Sequence, residues 1–120
     1  AAAALAALAE THRLDVVSNA AARGTQLFDG MLSLAAHYPV VGDVRGGHGL
    51  MAAFELVRDR EAKTPIDGKL AVKMQKSAYA AGALIRVSGP NVILSPSLVI
   101  EEADIDIALN AVEEGLKAIS

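Results

Sequence analysis

Residues 83–96, Ala-Leu-Ile-Arg-Val-Ser-Gly-Pro-Asn-Val-Ile-Leu-Ser-Pro, form the stretch that decides the fold of this chain. Two short apolar segments flank the Gly-Pro-Asn sequence at positions 89–91, and this pattern predicts a β-hairpin. Alternation along the first strand places Ile85 on one face and Arg86 on the other. Arg86 is therefore a charged residue in an otherwise apolar strand. Because an unpaired buried charge is costly, its guanidinium either pairs with an acid inside the fold or binds an anionic ligand.

Hydrophobic periodicity and turn residues predict the remaining elements. An Ala-rich helix opens the chain, and it is followed by a helix at 14–37, strands at 40–45 and 50–57, a helix at 68–82, the hairpin, and a helix at 101–119. Residues 58–67 are expected to form a charged loop that is broken by Pro65. Because short turns join strands that pair antiparallel, the order predicts an α+β fold. Its sheet is expected to be small, antiparallel or mixed, with three to four strands and with helices packed mainly on one face.

Each predicted element has one apolar face that we expect to contribute to the core. In the second strand of the chain this face consists of Leu50, Ala52, Phe54 and Leu56. The inward helical residues are expected to be, in chain order, Val17, Ala21, Leu27, Leu32 and Leu34, then Leu70, Met74, Ala78 and Ala81, and finally Ile105, Leu109, Val112 and Leu116. A chain of this length supports one modest core, so residues 1–120 are expected to form a single domain.

The composition narrows the classes of partner. The chain is 52% hydrophobic but only 3% aromatic, so its core is expected to be built from aliphatic side chains. A net charge of −3 gives no reason to expect a nucleic acid or an acidic membrane surface as a partner. No apolar run reaches the ~18 residues of a membrane span. The chain has no cysteine, which excludes disulfides and thiolate metal sites and allows a reducing compartment, and we expect a cytoplasmic location.

The first ten residues resemble a helix that is entered partway along its length. They have high helix propensity but neither an N-cap residue nor a preceding turn, and the sequence begins without methionine. We therefore expect this polypeptide to be cut from a longer one.

Several motifs that invite a chemical role have a simpler structural interpretation. The segment Gly46-Gly47-His48-Gly49 precedes a strand rather than a helix, which favours a tight turn over a phosphate-binding loop. The three histidines are far apart and lack metal-ligand spacing. All five lysines lie on the charged loop or on polar helix faces, whereas a lysine that forms a Schiff base must be partly desolvated. The sequence thus offers no catalytic residue and no metal site. Arg45, next to the glycine turn, is expected to find a carbonyl or acid partner within the fold.

Two segments and their spacing resemble a known enzyme family. Residues 41–46 and 49–56, Val-Gly-Asp-Val-Arg-Gly and Gly-Leu-Met-Ala-Ala-Phe-Glu-Leu, are similar to the VGDVRGxGLMxxxEL signature of class III aminotransferases, which are pyridoxal-phosphate enzymes of fold type I. Segments within 84–100 resemble their closing hairpin, and residues 101–106 resemble the acidic start of their last helix. The resemblance spans essentially the whole chain. One departure is that two residues separate the glycines of the turn where the family commonly has one, which leaves His48 without an assigned role.

The resemblance covers only the C-terminal small domain of such an enzyme. The family's Schiff-base lysine, pyridine-nitrogen aspartate and phosphate-binding residues belong to the large domain and have no counterpart here. The resemblance therefore implies pyridoxal phosphate in a full-length parent, no covalently held cofactor on this chain, and residues 1–12 as the end of a helix that leads from the missing large domain. In the ω-amino acid and amine:pyruvate branch, an arginine at the hairpin position of Arg86 binds the substrate carboxylate and swings aside for substrates without one. This substrate-binding role falls on Arg86 alone.

Two hypotheses follow. In the first, the parent is a homodimer or larger and transfers an amino group between an ω-amino acid or amine and pyruvate or a similar 2-oxo acid. This chain, inactive by itself, would then shape the substrate pocket beside the large pyridoxal-phosphate-binding domain. In the second, the chain is a free-standing α+β binding module that recognises a small carboxylate through Arg86. Related branches that act on other amines share much of this domain, so the amino donor is left open.

Overall fold

The computed structural model describes residues 1–120, and its elements follow the predicted order with one additional strand. The helices are α1 (Ala2–Arg13), α2 (Val16–His37), α3 (Gly68–Ala80) and α4 (Glu102–Ile119), and the strands are β1 (Val41–Arg45), β2 (Ala52–Asp59), β3 (Thr64–Pro65), β4 (Arg86–Ser88) and β5 (Asn91–Leu94). Local chemistry explains several boundaries. Asp67 caps α3 by accepting a hydrogen bond from the Lys69 amide at 2.8 Å. Pro39 lies just beyond α2, where its missing N–H prevents the helix from continuing.

The strands form an antiparallel sheet in the spatial order β1-β2-β5-β4, with β3 paired to the end of β2. β4 and β5 form the hairpin that the sequence predicts, and β2 and β5 pair along the centre. These observations confirm the α+β fold and the antiparallel sheet. The expectation of a loop throughout 58–67 was wrong, because Thr64 and Pro65 pair with β2 as a fifth, two-residue strand. Proline is tolerated there because β3 lies at the edge of the sheet.

The core lies between one face of the sheet and the helices α2, α3 and α4. The expected inward residues of β2 and its preceding turn are all buried: Leu50, Ala52, Phe54 and Leu56. The stripe of α4 is also confirmed, with Ile105, Val112 and Leu116 fully inaccessible and Leu109 packed against the cluster. As the composition predicts, almost all of the buried side chains are aliphatic.

Two helices are rotated relative to the predicted stripes. The buried residues of α2 are Val16, Gly24, Leu27 and Met31. The predicted inward residue Val17 is 74% exposed and Leu32 is 44% exposed, and Ala21 is exposed as well. In α3 the buried residues are Ala71, Met74 and Ala78, whereas Leu70 and Ala81 are exposed.

Close helix packing explains why small residues replace larger ones on the buried side of α3. A Cβ atom on Gly115 of α4 would lie 2.9 Å from both Cγ and the carbonyl oxygen of Met74. The Cβ atom of Ala78 lies 3.4 Å from the same position, so α3 and α4 approach each other closely at this point.

α1 lies apart from the core. None of its residues is buried, and Leu5 and Leu8 are 68% and 62% exposed. Asp15, in the left-handed conformation with φ of 47°, separates α1 from α2. The molecule consequently extends 49 Å along its longest axis but only 25 Å and 23 Å along the others. None of the four helices combines the length and the apolar character that a membrane span requires.

Candidate functional site

The candidate site lies on the face of the sheet that the helices leave uncovered. Cross-strand pairing aligns residues from four strands in two rows on this open face. One row consists of Arg45, Ala53, Ile93 and Arg86, and the next consists of Asp43, Glu55, Asn91 and Ser88. Residues between these rows, such as Phe54 and Val92, project to the other side and are buried in the core. The open face therefore carries most of the charge of the sheet.

Arg86 lies on the edge strand β4 and has no partner in the protein. Its side chain is exposed, and it takes part in none of the five ion pairs of the chain. Strand alternation is as expected, since Ile85 is buried while Leu84 and Arg86 face outward. Of the two alternatives that the sequence leaves open, an internal acid partner is not present in the structure. The guanidinium is available to an anion, and its substrate-binding role stays a prediction.

A groove of about 420 Å³ opens beside Arg86. Its lining is mainly apolar and includes Leu84, which precedes β4, Ile93 of β5 and Ala108 of α4. Gln75 of α3 fixes one rim, because its Nε2 donates a hydrogen bond of 2.8 Å to the Ile85 carbonyl. Arg86 is the one charged residue among the lining side chains. An apolar groove with a single free cation suits a carboxylate that is attached to a small apolar body.

Arg45, at the other end of the same row, has partners within the fold. Its Nη2 lies 3.0 Å from Glu55 Oε2 and donates to Asn91 Oδ1 at 3.1 Å, and its Nε lies 3.3 Å from Asp43 Oδ2. This confirms the prediction that Arg45 finds an acid partner within the fold. Asn91 was not predicted to be a partner of Arg45, because its place in the Gly-Pro-Asn segment indicated a turn residue only. Its proximity to Arg45 depends on the pairing of β2 with β5, which no local pattern reveals.

The glycine turn joins β1 to β2 and packs against α2. Gly46, Gly47 and Gly49 all have positive φ, which a residue with a side chain rarely adopts. A strand follows this segment, so it connects two strands as the sequence predicts, although the connection is six residues long, 46–51; His48 within it is exposed. No group of three or more potential metal-ligating side chains occurs in the chain.

The lysines do not fit a covalent cofactor site. All five are exposed. Lys117 forms an ion pair of 2.7 Å with Glu114, and this hydrogen bond raises the lysine pKa above its ordinary value. A lysine that attacks a carbonyl needs the opposite change, a lowered pKa in a desolvated setting. The residues present here therefore do not hold pyridoxal phosphate covalently.

Comparisons with known proteins agree with this geometry. The family model described as aminotransferase class-III matches residues 1–116. The taurine–pyruvate aminotransferase of Bilophila wadsworthia is 35% identical, and the match covers 98% of this chain and 27% of that enzyme. The acetylornithine aminotransferase of Thermosynechococcus vestitus is 37% identical over 96% of this chain and 26% of its own length.

A solved structure extends the likeness to three dimensions. An amine transaminase from an uncultivated Pseudomonas species, solved in its PLP-bound form, matches with a TM-score of 0.93 and 36% identity over 99% of this chain and 27% of the transaminase. The chain thus spans about a quarter of the length of the relatives it matches. All three relatives are enzymes, and the comparisons give no support to a free-standing binding module.

Proposed function

The chain belongs to the class III aminotransferase family, and from this membership we propose that it is the C-terminal small domain of a longer pyridoxal-phosphate-dependent enzyme. The enzyme would transfer an amino group between an ω-amino acid or amine and pyruvate or a similar 2-oxo acid. The similarity to a taurine–pyruvate aminotransferase supports this choice of substrates. The part played by this chain would be to shape the substrate pocket and to bind the substrate carboxylate.

The observation that carries the proposal is the unpaired guanidinium of Arg86 beside an apolar groove. Arg45, on the same face, has acid partners, so the open face does not lack acids in general. A planar guanidinium binds a carboxylate through two parallel hydrogen bonds, which an ammonium group cannot reproduce. The apolar side chains of Leu84 and Ile93 would contact the carbon skeleton of the same substrate.

The cofactor belongs to the rest of the enzyme in this proposal. Pyridoxal phosphate, when bound, supplies the electron sink that stabilises the carbanion formed at the amino-bearing carbon. The lysine that holds it would come from the large domain, because every lysine of this chain is exposed. The role of this chain is to orient the substrate by its carboxylate, at a distance from the reacting carbon.

The large domain is also the proposed partner of the surfaces that this chain leaves open. The apolar strip of α1, with Leu5 and Leu8 exposed, would pack against an apolar surface of the large domain. The open face of the sheet, which carries charged side chains, would contact a polar surface of the same domain. We also propose that the parent enzyme is a homodimer or larger, which is what its membership of the class III family implies.

Arg86→Ala in the full-length enzyme tests the proposal. Hydrogen bonds to charged groups contribute about 1.5–3 kcal/mol, so kcat/KM for pyruvate is expected to fall roughly ten- to hundredfold. A plain amine without a carboxylate is expected to react in its own half-reaction at close to the wild-type rate. Arg86→Lys is expected to recover only part of the loss.

Arg58→Ala provides a matched control, because Arg58 is an exposed arginine of β2 that also lacks an ion pair. It is expected to leave both half-reactions unchanged. Equal losses for the carboxylate-bearing substrate and the plain amine in Arg86→Ala, together with a lowered melting temperature, would show that Arg86 supports the fold and does not bind the carboxylate.

A further inference from the structure

Arg45 connects three strands on the open face of the sheet. It belongs to β1, and its Nη2 donates both to Glu55 of β2 at 3.0 Å and to Asn91 of β5 at 3.1 Å. Its Nε forms a third contact, 3.3 Å from Asp43. A single guanidinium therefore cross-links β1, β2 and β5, which are three of the four strands in the row β1-β2-β5-β4. The proposed function makes no use of this residue, although it lies in the segment that resembles the family signature.

Asn91 extends the connection to the hairpin that carries Arg86. While its Oδ1 accepts from Arg45, its Nδ2 donates to the Ser88 carbonyl at 3.3 Å. Ser88 is the last residue of β4, two positions after Arg86. The series Arg45, Asn91, Ser88 thus leads from the first strand to the end of the strand that presents the free guanidinium.

The two acids beside Arg45 give its side chain a second electrostatic role. Asp43 and Glu55 lie directly opposite each other in the β1–β2 ladder, and like charges in that arrangement repel. Arg45 lies between both carboxylates and offsets the repulsion. The charge of Arg45 is thus offset by two acids within the fold, in contrast to that of Arg86 at the far end of the row, about 14 Å away at three strand spacings.

We infer that Arg45 and Asn91 are positioning residues, which fix the β4–β5 hairpin in the orientation that presents Arg86 to a carboxylate-bearing substrate. The inference rests on the proposed function of Arg86. The main chain already fixes the tip of the hairpin to β2, because the Leu56 amide donates to the Pro90 carbonyl at 2.8 Å. Loss of the side-chain link is therefore expected to loosen β4 without unfolding the sheet.

Asn91→Ala in the full-length enzyme tests the inference, since it cuts the link to the hairpin and leaves Arg45 with both carboxylates. One net hydrogen bond corresponds to a loss of about three- to tenfold, which is expected in kcat/KM for pyruvate and not in the half-reaction of a plain amine. Asn91→Asp keeps an oxygen acceptor for Arg45 but replaces the Nδ2 donor with a second acceptor, so it also loses the hydrogen bond to the Ser88 carbonyl and is expected to show the same selective loss as Asn91→Ala. Arg45→Lys replaces donors on separate nitrogen atoms with a single ammonium nitrogen, which cannot span the same acceptors, and it is expected to behave as Asn91→Ala does.

The Arg86→Ala background separates this inference from the proposal it rests on. If Asn91 acts through Arg86, then Asn91→Ala is expected to cause no further loss once Arg86 is absent. A selective effect of Arg86→Ala combined with no effect of Asn91→Ala overturns the inference and leaves the proposed function intact. If Arg86→Ala itself shows no selectivity for the carboxylate, the proposed function fails first.

A measurement without turnover completes the test. In the 120-residue chain, Asn91→Ala is expected to accelerate exchange of the β4 amides that are hydrogen-bonded to β5, while the amides of α4 keep their protection. Uniform acceleration throughout the chain would mean that Asn91 stabilises the fold as a whole, and would overturn a positioning role. Unchanged exchange in β4 would overturn it as well.

Discussion

Gly24 of α2 lies directly against the backbone of the glycine turn, and Gly24→Ala probes this contact. A Cβ atom at position 24 would lie 2.6 Å from the carbonyl carbon of Gly49 and 3.0 Å from its Cα. Favourable carbon contacts are about 3.5–4.0 Å long, so backbone atoms would have to move by roughly 1 Å. The obstructing atoms cannot rotate away as the end of a flexible side chain can. Gly49 is further constrained by its φ of 71°.

Two opposing terms set the size of the effect. Alanine in a helix interior is favoured over glycine by about 1 kcal/mol. Overpacking costs about 1–3 kcal/mol, and an obstruction by backbone belongs at the upper end. The net expectation is that Gly24→Ala lowers the free energy of unfolding by about 2 kcal/mol. For a domain of this size that corresponds to a drop of about 8 °C in melting temperature.

Gly68→Ala provides the matched control. Gly68 is also helical, as the first residue of α3, but nothing lies within 4 Å of the position its Cβ would take. This substitution is expected to leave the melting temperature unchanged or to raise it by a few degrees, because it removes backbone freedom from the unfolded chain. Thermal and urea unfolding of the 120-residue chain, followed by far-ultraviolet circular dichroism, give both values. If Gly24→Ala raised stability as much as Gly68→Ala, α2 and the turn would not be in close contact, and the reasoning would be refuted.

Three further outcomes are expected of the 120-residue chain. Burial, and then the 2.9 Å hydrogen bond to Glu113, raise the pKa of Tyr38. In a Tyr79→Phe background, where Tyr38 is the only tyrosine, its phenolate absorbance should therefore appear at a higher pH with Glu113 present than in the Glu113→Gln variant. The neutral phenol then stabilises the fold below its unfolded pKa of about 10, and this contribution disappears as the pH rises through the raised value. Mixed with pyridoxal phosphate and borohydride, the chain should yield no stoichiometric adduct at a single lysine, which peptide mass spectrometry detects. Amides of α1 should exchange much faster than those of α4 in a monomer, because α1 buries no residue; strong protection of Leu5 and Leu8 would contradict this.

The inward faces of the strands, whose side chains alternate with a period of two, were predictable from the sequence. The inward faces of the helices were harder to predict. In the β4–β5 hairpin and in β2, alternation leaves only two faces, so Phe54 and Ile85 could be assigned to the core directly. In α2 and α3 many positions are alanine, which marks neither the inner nor the outer side of a helix. The inner sides were decided by how closely the neighbouring helices approach, for instance at Gly115, and that distance is a tertiary property.

The same distinction applies to the site. Arg86 could be singled out because its charge interrupts an apolar strand, yet the sequence did not decide whether an acid lies near it. The partners of Arg45 illustrate the difficulty, since Glu55 could be guessed from the short turn whereas Asn91 is brought close only by the pairing of β2 with β5. Contacts between segments that are distant in the chain leave no local pattern.

The spatial order of the strands also has a consequence for how the chain folds. β1 with β2, and β4 with β5, are neighbours in sequence and can pair within microseconds as local hairpins. The central β2–β5 ladder, by contrast, joins residues about 40 positions apart, so a large loop that contains α3 must close before it forms. We expect this closure to limit the folding rate. Phe54 and Val92, which face each other across that ladder, are then the positions where truncation should slow folding most.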